Sequence, residues 1–468
     1  MAKKETSKKN TAPHSAYDDF IHSEEWTTRD ERYDYTTYRS ETTGRHTDAY
    51  ERTATARPRK EKAPQAKPKE RKLSDEYLQM KAQKEHAKKQ KNDKNDHLFT
   101  LIAAGIITVL IFTFSILTLG GNVEQYSENE NRYLAGRPEL SASSLSDGKY
   151  MDDMENYLSD QFAGRSAMVK TRTALDVLCG KKEINGVYIG KDHYLFEKPA
   201  AYEATRAEKT IESVNSFSNR YKKVNTYFAL APDASDILAE YMPKNATNEN
   251  QLEQIKTVYG KLDKSIKTID IYTTLKNSNE RQSLYYRTDH HWTTKAAEIA
   301  FKQIAANMKI DTSKVTHETY AVTNDFQGTL ASSSGLFNAK DTIYITAPKS
   351  DIKYFVSYVE ENKKRSTVFE SSKLETKNKY EVFFGGNFAE VKIDTTLNSK
   401  KVLMVVKDSY ANCLVPMLTP YYKTIIMIDP RYYHDNLKQL MKDEGVTDVL
   451  WLYNVNTFLT DTSIDSTF

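Results

Sequence analysis

The chain has 468 residues, 39% hydrophobic and 28% charged, long enough for two or three ordinary domains, and its composition shifts sharply along its length. Residues 1–97 carry 23 Lys and Arg against 18 Asp and Glu, leaving 44 against 46 for residues 98–468, so the main body has no basic excess of the kind a nucleic-acid-binding domain needs. Two cysteines, Cys179 and Cys413, exclude a disulfide-dense scaffold and a cysteine-rich zinc module, and allow one disulfide at most.

Residues 1–97 read as a disordered cytoplasmic arm, rich in Lys, Glu, Thr, Arg and Asp, with Pro58, Pro64 and Pro68 and no sustained apolar periodicity. Tyr17, Tyr33, Tyr35, Tyr38 and Tyr50 stand among its acidic and Thr residues. A solvated tail accounts for them more simply than a docking or phosphorylated one. Residues 73–94 can form a helix whose lysines lie against anionic lipid headgroups.

From Leu98 to Leu119 there are 22 residues without a charge. At about 1.5 Å per residue they span roughly 33 Å, enough for a hydrocarbon core of about 30 Å. Lys81, Lys84, Lys88, Lys89, Lys91 and Lys94 precede this segment, and Glu124, Glu128 and Glu130 follow it. Basic flanks stay cytoplasmic, so the expectation is one transmembrane helix, an N-terminus inside and residues 122–468 outside.

The exported region alternates strand and helix signals. Val224–Leu230 is a strand ending at Pro232-Asp233, Asn250–Ile266 a helix, Thr268–Tyr272 a short strand and Leu284–Tyr286 extended. Thr293 caps a helix whose apolar stripe is Ala296, Ala297, Ile299, Ala300, Ile304 and Met308. Residues 311–400 contain extended stretches, Thr342–Thr346 and Tyr354–Tyr358 among them, and read as an insertion or β-rich cap. Val402–Val406 then reads as a strand buried on both faces, followed by a short helix over Tyr410–Val415 stopped at Pro416. Strand Thr424–Ile428, helix Asp435–Asp443 with Gly445 at its end, and strand Val446–Tyr453 complete an α/β pattern with a parallel sheet flanked by helices. Open sheets of this kind carry their sites at the carboxyl ends of strands, where Ser409 falls.

The segment Asp289-His290-His291-Trp292 concentrates a carboxylate and two histidines where a strand turns into a helix. Asp289 and His291, two apart, can reach one site, the carboxylate fixing the imidazole tautomer while the other ring nitrogen faces a nucleophile. Ser409 needs such a base, and its own N–H can face an oxyanion. By spacing alone a helix cap and a structural histidine pair account for these residues better than catalysis does. A metal site is disfavoured, because adjacent histidines diverge on extended chain and no further ligand cluster is evident.

The quartet at 289–292 resembles the signature of the bacterial DHHW family. The likeness continues through Ser127–Ala135 with Pro138-Glu139-Leu140, Tyr157–Arg165, Tyr188–Asp192, Phe383–Asn387, Lys407–Asn412 and Asp429–Tyr432. That family is similar to the AlgJ/AlgX-type polysaccharide O-acetyltransferases, which have an SGNH-hydrolase-like fold with an Asp-x-His pair ahead of the serine. The resemblance implies Ser409 as nucleophile, His291 as general base and Asp289 as orienting carboxylate, with His290 in the variable place. It implies Asn387, or the Gly385-Gly386 backbone, as second oxyanion donor, and Arg431 and Tyr432 as groups holding sugar or acyl carbonyl; Trp292 is one of the many aromatics suited to sugar stacking, although any single one of these rings reads more simply as core. Lys407 stands where glycine usually precedes the Asp-Ser pair. The implied partners are a membrane-bound O-acyltransferase as acyl donor and a polysaccharide acceptor, with no cofactor or metal. An acetylesterase with the same triad and a non-catalytic glycan-binding protein are the alternatives.

Overall fold

The computed structural model describes residues 75–127, 132–247 and 249–468. The arm before residue 75, with its five tyrosines, lies outside the described residues. The chain divides into two compact units after Lys88. The described part of the first is helical, and the second holds the sheet and the site.

Helix α1, Asp75–Gly120, contains the expected span and is, among the described residues, the one helix long and apolar enough to cross a membrane. It corrects the disordered arm over residues 75–97, which are helical, in keeping with the helix expected over 73–94. Glu, Lys, Gln and Ala dominate that stretch, and all are strong helix formers. Beyond it, Asp160 at the end of helix α2 (Lys149–Asp160) accepts two bonds from Arg132, at 2.8 and 2.5 Å, and one from the Ala135 N–H. Gln161 bonds the backbone of Glu124 and Ala135. Helix α3, Arg165–Leu178, follows, and Cys179 is exposed just after it.

The main sheet has eight strands: β1 Asn225–Ala231, β2 Lys267–Ile269, β5 Tyr354–Tyr358, β6 Lys363–Arg365, β7 Glu390–Thr395, β8 Val402–Lys407, β9 Thr424–Ile428 and β10 Asp448–Asn454, while β3 Thr316–Phe326 and β4 Asp341–Lys349 form a separate antiparallel ribbon. Their order is β6-β5-β7-β9-β8-β10-β1-β2, parallel from β9 to β2 and antiparallel from β9 outward to β6. Strands β8, β9 and β10 are buried along their whole length, as runs of Val, Ile, Leu and Met require. Each such side chain contributes roughly 1.5–3 kcal/mol relative to exposure. Phe217 of helix α4 (Ala204–Arg220) packs edge-on against Trp451 of β10, and Phe458 of the short helix Val455–Thr460 against Phe228 of β1.

Strand bounds follow the sequence expectation within one or two residues, save that the stretch expected at Thr342–Thr346 runs on to Lys349, the strand expected at Thr268–Tyr272 ends at Ile269 and Leu284–Tyr286 contributes one bridge at Tyr285; the helix expected over Asn250–Ile266 stops at Lys261, here α5 (Gln251–Lys261). The segment 311–400 is not a single insertion. Its first half is the β3–β4 ribbon, whereas β5, β6 and β7 extend the main sheet. The short helix after β8 is a pair of 3-10 turns, Ser409–Cys413 and Val415–Leu418.

Candidate active site

Ser409 stands two residues past the end of β8 and is the first residue of its 3-10 turn. Asp408 caps that turn, accepting from the Tyr410 N–H at 2.9 Å and from the Asn454 N–H, at the end of β10, at 2.8 Å. Burial raises the Asp408 carboxyl above its ordinary range. The Asn454 amide also bonds Asp233, just beyond β1. The carboxyl ends of three neighbouring strands are thereby stitched together beside Ser409.

The Asp289–Trp292 segment lies in a tight loop. Tyr285 bridges antiparallel to Trp292, and the Thr293 N–H donates to the Leu284 carbonyl at 2.8 Å. Asp341, opening β4, accepts from the N–H groups of Arg287 and Thr288, at 3.0 and 2.8 Å, and from the Thr288 hydroxyl at 2.6 Å. Thr293 is the N-cap position of helix α6, Thr294–Asn307, but its hydroxyl turns back to the Ser283 carbonyl instead of capping.

Asp289, His291 and Ser409 form a continuous hydrogen-bonded line. His291 Nδ1 lies 2.6 Å from Asp289 Oδ1, and His291 Nε2 lies 2.7 Å from Ser409 Oγ. The carboxylate has four bonds in all: Oδ1 also accepts the His291 N–H, and Oδ2 accepts the N–H and hydroxyl of Thr329 at 2.8 and 3.0 Å. Burial opposes ionisation of Asp289, but His291, His290 and these donors outweigh it and hold the carboxyl well below its usual range. Burial, with the neighbouring His290, lowers the His291 imidazole to about 4 against the pull of Asp289. At neutral pH the pair is carboxylate and neutral imidazole, and a carboxylate at Nδ1 fixes the proton there, leaving the Nε2 lone pair toward Ser409. Asp289, His290 and His291 have ligand atoms within 4.8 Å of one another, but the hydrogen bonds on Asp289 and His291 already occupy the positions a metal would need.

Three contributors have no signal in the sequence. Thr329 begins the short helix α7, Thr329–Ser334, and also meets His290 Nδ1 at 2.7 Å. Gly328 precedes it. Tyr380, in the 3-10 turn Lys379–Val382, stacks on the His291 ring at 3.8 Å and 13°, and its hydroxyl donates to the Ser409 carbonyl at 3.2 Å.

The other expected site residues divide. Trp292 is fully buried and donates its Nε1–H to the Tyr410 carbonyl at 2.9 Å, so it ties the two halves of the site together and offers no ring to a sugar. The Asn387 side chain lies against the serine turn, its Oδ1 accepting from Lys407 Nζ and Asn412 Nδ2, each at 3.0 Å. The Gly386 N–H is directed at the Phe383 carbonyl, 3.4 Å away, rather than at Ser409. Phe384, Gly385 and Gly386 all have positive φ, and that is the bend that turns the chain toward Asn387. Arg431 is committed to Asp429, at 2.8 and 2.6 Å, with its guanidinium 5.5 Å from the exposed Tyr432 ring. Both cysteines are free thiols; Cys413 is buried, its thiol pushed up to about 12 by burial.

Comparison with known proteins agrees with this architecture. Residues 187–387 match the family model of the SGNH hydrolase-like domain of the acetyltransferase AlgX, a stretch that includes Asp289, His291 and Asn387 and stops before Ser409. Among solved structures the chain is similar to a DHHW family protein from Eubacterium siraeum, at 23% identity and a TM-score of 0.52, over 60% of this chain and 95% of that one. It is similar to PatB1 from Bacillus cereus, solved with a sulfonyl adduct, at 20% identity and a TM-score of 0.52, over 60% of this chain and 98% of that one. A weaker likeness, with a TM-score of 0.40 at 15% identity over 60% of this chain and 95% of the other, is to the O-acetyltransferase domain of AlgJ from Pseudomonas putida. No curated protein matches the chain. The fold is that of an SGNH-hydrolase-like acyltransferase or esterase domain.

Proposed function

We propose that the chain is a membrane-anchored, extracytoplasmic O-acetyltransferase, or its acyl-relay subunit, acting on a cell-surface or secreted polysaccharide. The observation that carries this reading is the unbroken line Asp289–His291–Ser409 at the carboxyl ends of parallel strands. The match to an acetyltransferase domain supports the reaction class.

Ser409 Oγ attacks the carbonyl carbon of a donor ester while His291 Nε2 takes its proton. The C–O bond to the donor breaks, its oxygen leaves with that proton, and an acyl ester on Ser409 remains. A sugar hydroxyl then attacks the acyl carbon, its proton passing through His291 back to Ser409 Oγ as the acyl group leaves on the sugar. The Ser409 N–H, which has no partner within its turn, and the Asn387 amide are the donors to the oxyanion. Arg431 acts through Asp429, and Tyr432, the one exposed ring of the expected set, meets the acceptor. Acetyl-CoA is not available outside the membrane, so the donor is an acyl group passed across by a membrane-bound O-acyltransferase. The anchor is α1, its lysine-rich end inside.

The test uses the full chain in detergent micelles with p-nitrophenyl acetate, wild type and Ser409→Ala, with and without an oligosaccharide acceptor. An acetyl adduct on the wild type alone, discharged faster by sugar, is the expected result. Rapid turnover indifferent to sugar makes the protein an esterase. An adduct of equal yield on Ser409→Ala removes Ser409 as the nucleophile.

A further inference from the structure

Two residues before Ser409, at the end of a central strand, stands Lys407, whose ammonium is buried. A cation in that place calls for an explanation, because a small or apolar residue would end the strand at no desolvation cost. Its carboxylate neighbour Asp429, 3.2 Å away, is already gripped by Arg431 through two nitrogens. Arg431 and Lys407 stand with two buried acidic groups, Asp429 and Asp408, so the side chain that Lys407 itself meets besides Asp429 is what sets its place. That ammonium faces Asn387 Oδ1 at 3.0 Å.

Asn412 supplies the second half of the arrangement. It lies on the same 3-10 turn as Ser409, and its Nδ2 donates to the same Asn387 oxygen at 3.0 Å. An amide oxygen has two lone pairs. With both engaged, the Asn387 amide cannot flip, and its Nδ2–H bonds point away from Lys407 and Asn412. Asn387 itself is exposed. A charge-assisted bond on the oxygen also draws electrons from the amide nitrogen and strengthens it as a donor.

We propose that Lys407 is a positioning residue which, with Asn412, fixes and polarises the Asn387 amide so that its Nδ2–H meets the oxyanion formed on the acyl carbon at Ser409. This rests on the reading of Ser409 as the acylated nucleophile. The oxyanion is the former carbonyl oxygen, which takes up the electron pair of the C=O bond as Oγ adds and returns it as the leaving group departs. Lys407 transfers no proton and touches no substrate, acting solely through Asn387.

A double-mutant cycle on the full chain tests this, reading kcat and KM for p-nitrophenyl acetate with thermal unfolding as the control. Asn387→Ala is expected to lower kcat by about 10²–10³, the cost of one lost oxyanion donor. Lys407→Met is expected to lower kcat at least about tenfold at unchanged KM, and the double variant to be no slower than Asn387→Ala. Asn412→Ala leaves every charge in place and is expected to behave as Lys407→Met does, which keeps the test open if Lys407→Met folds poorly. Losses that multiply in the double variants overturn the proposal, as does an unchanged kcat in Asn387→Ala. Ser409→Ala separates the two levels: full turnover there removes the nucleophile itself, whereas multiplicative losses with a dead Ser409→Ala remove only the part given to Lys407.

Discussion

His291 is enclosed by rings, Tyr380 at 3.8 Å on one side and His290 at 3.9 Å. That enclosure sets its proton affinity. Burial and the adjacent His290 take it from 6.5 down to about 4, with Asp289 resisting. A base lowered in this way is neutral, and so able to accept the Ser409 proton, over the whole range above about pH 4. We predict that kcat/KM for ester acylation stays flat from neutrality down to about pH 4 and falls about tenfold per unit below. An acid limb centred near 6.5 would mean that the imidazole is solvated and the enclosure is wrong. Stability follows the same sign: the folded state holds His291 deprotonated, so its contribution is complete above 6.5 and is lost as pH falls toward about 4. Tyr380→Phe keeps the ring stack and removes only the bond to the Ser409 carbonyl, so the acid limb should not move in that variant.

Elements rather than single side chains decide where Asp289 sits. Helix α7 brings its first N–H and the Thr329 hydroxyl onto Asp289 Oδ2, and the chain reaches it through Gly328, whose backbone is extended and unstrained. The glycine is needed for space: a Cβ there would stand 2.2 Å from Asp289 Oδ2 and 2.3 Å from its Cβ. Gly328→Ala should therefore push the carboxylate off His291, lowering kcat about 10²-fold, as small misplacements do, and costing about 1–3 kcal/mol of stability by overpacking. Ester turnover and thermal unfolding check both parts, and a variant with wild-type values in each would show that α7 does not seat the carboxylate. The same elements explain what could be read in advance. Strands β8, β9 and β10 announce themselves as short apolar runs because both their faces are covered, and Ser409 and the Asp-x-His pair sit where strand signals end. Thr329, Gly328 and Tyr380 come from segments with no periodicity, and only the folded chain brings them beside His291. Strand β7 alternates buried and half-buried residues as a strand should, but nothing local in Glu390–Thr395 says which sheet it joins. Trp292 and Arg431 are amphipathic types whose side chains serve a surface or a core equally well, and here one packs and the other pairs.

At the scale of the whole molecule, the described residues have one long apolar helix ahead of the SGNH-hydrolase-like domain, and if that helix crosses a membrane, the side on which the domain lies decides which acceptors it can meet. Lysines before the span and acidic residues after it favour an external domain. The two cysteines give a direct test, because burial and thiolate content separate them. Cys179 is exposed beyond α3 and follows the apolar segment in the chain, whereas Cys413 is buried with its thiol raised to about 12 and is unreactive at neutral pH. A membrane-impermeant maleimide applied to intact cells should therefore attach one label per chain, the label should vanish in Cys179→Ser, and a second should appear only on denaturation. Polysaccharide acceptors lie outside the cytoplasm, so a Cys179 that reacts only after lysis would put the Ser409 site where no such acceptor reaches it. That outcome would leave the hydrogen-bonded line intact as an acyl-transfer device and remove the polysaccharide from its chemistry.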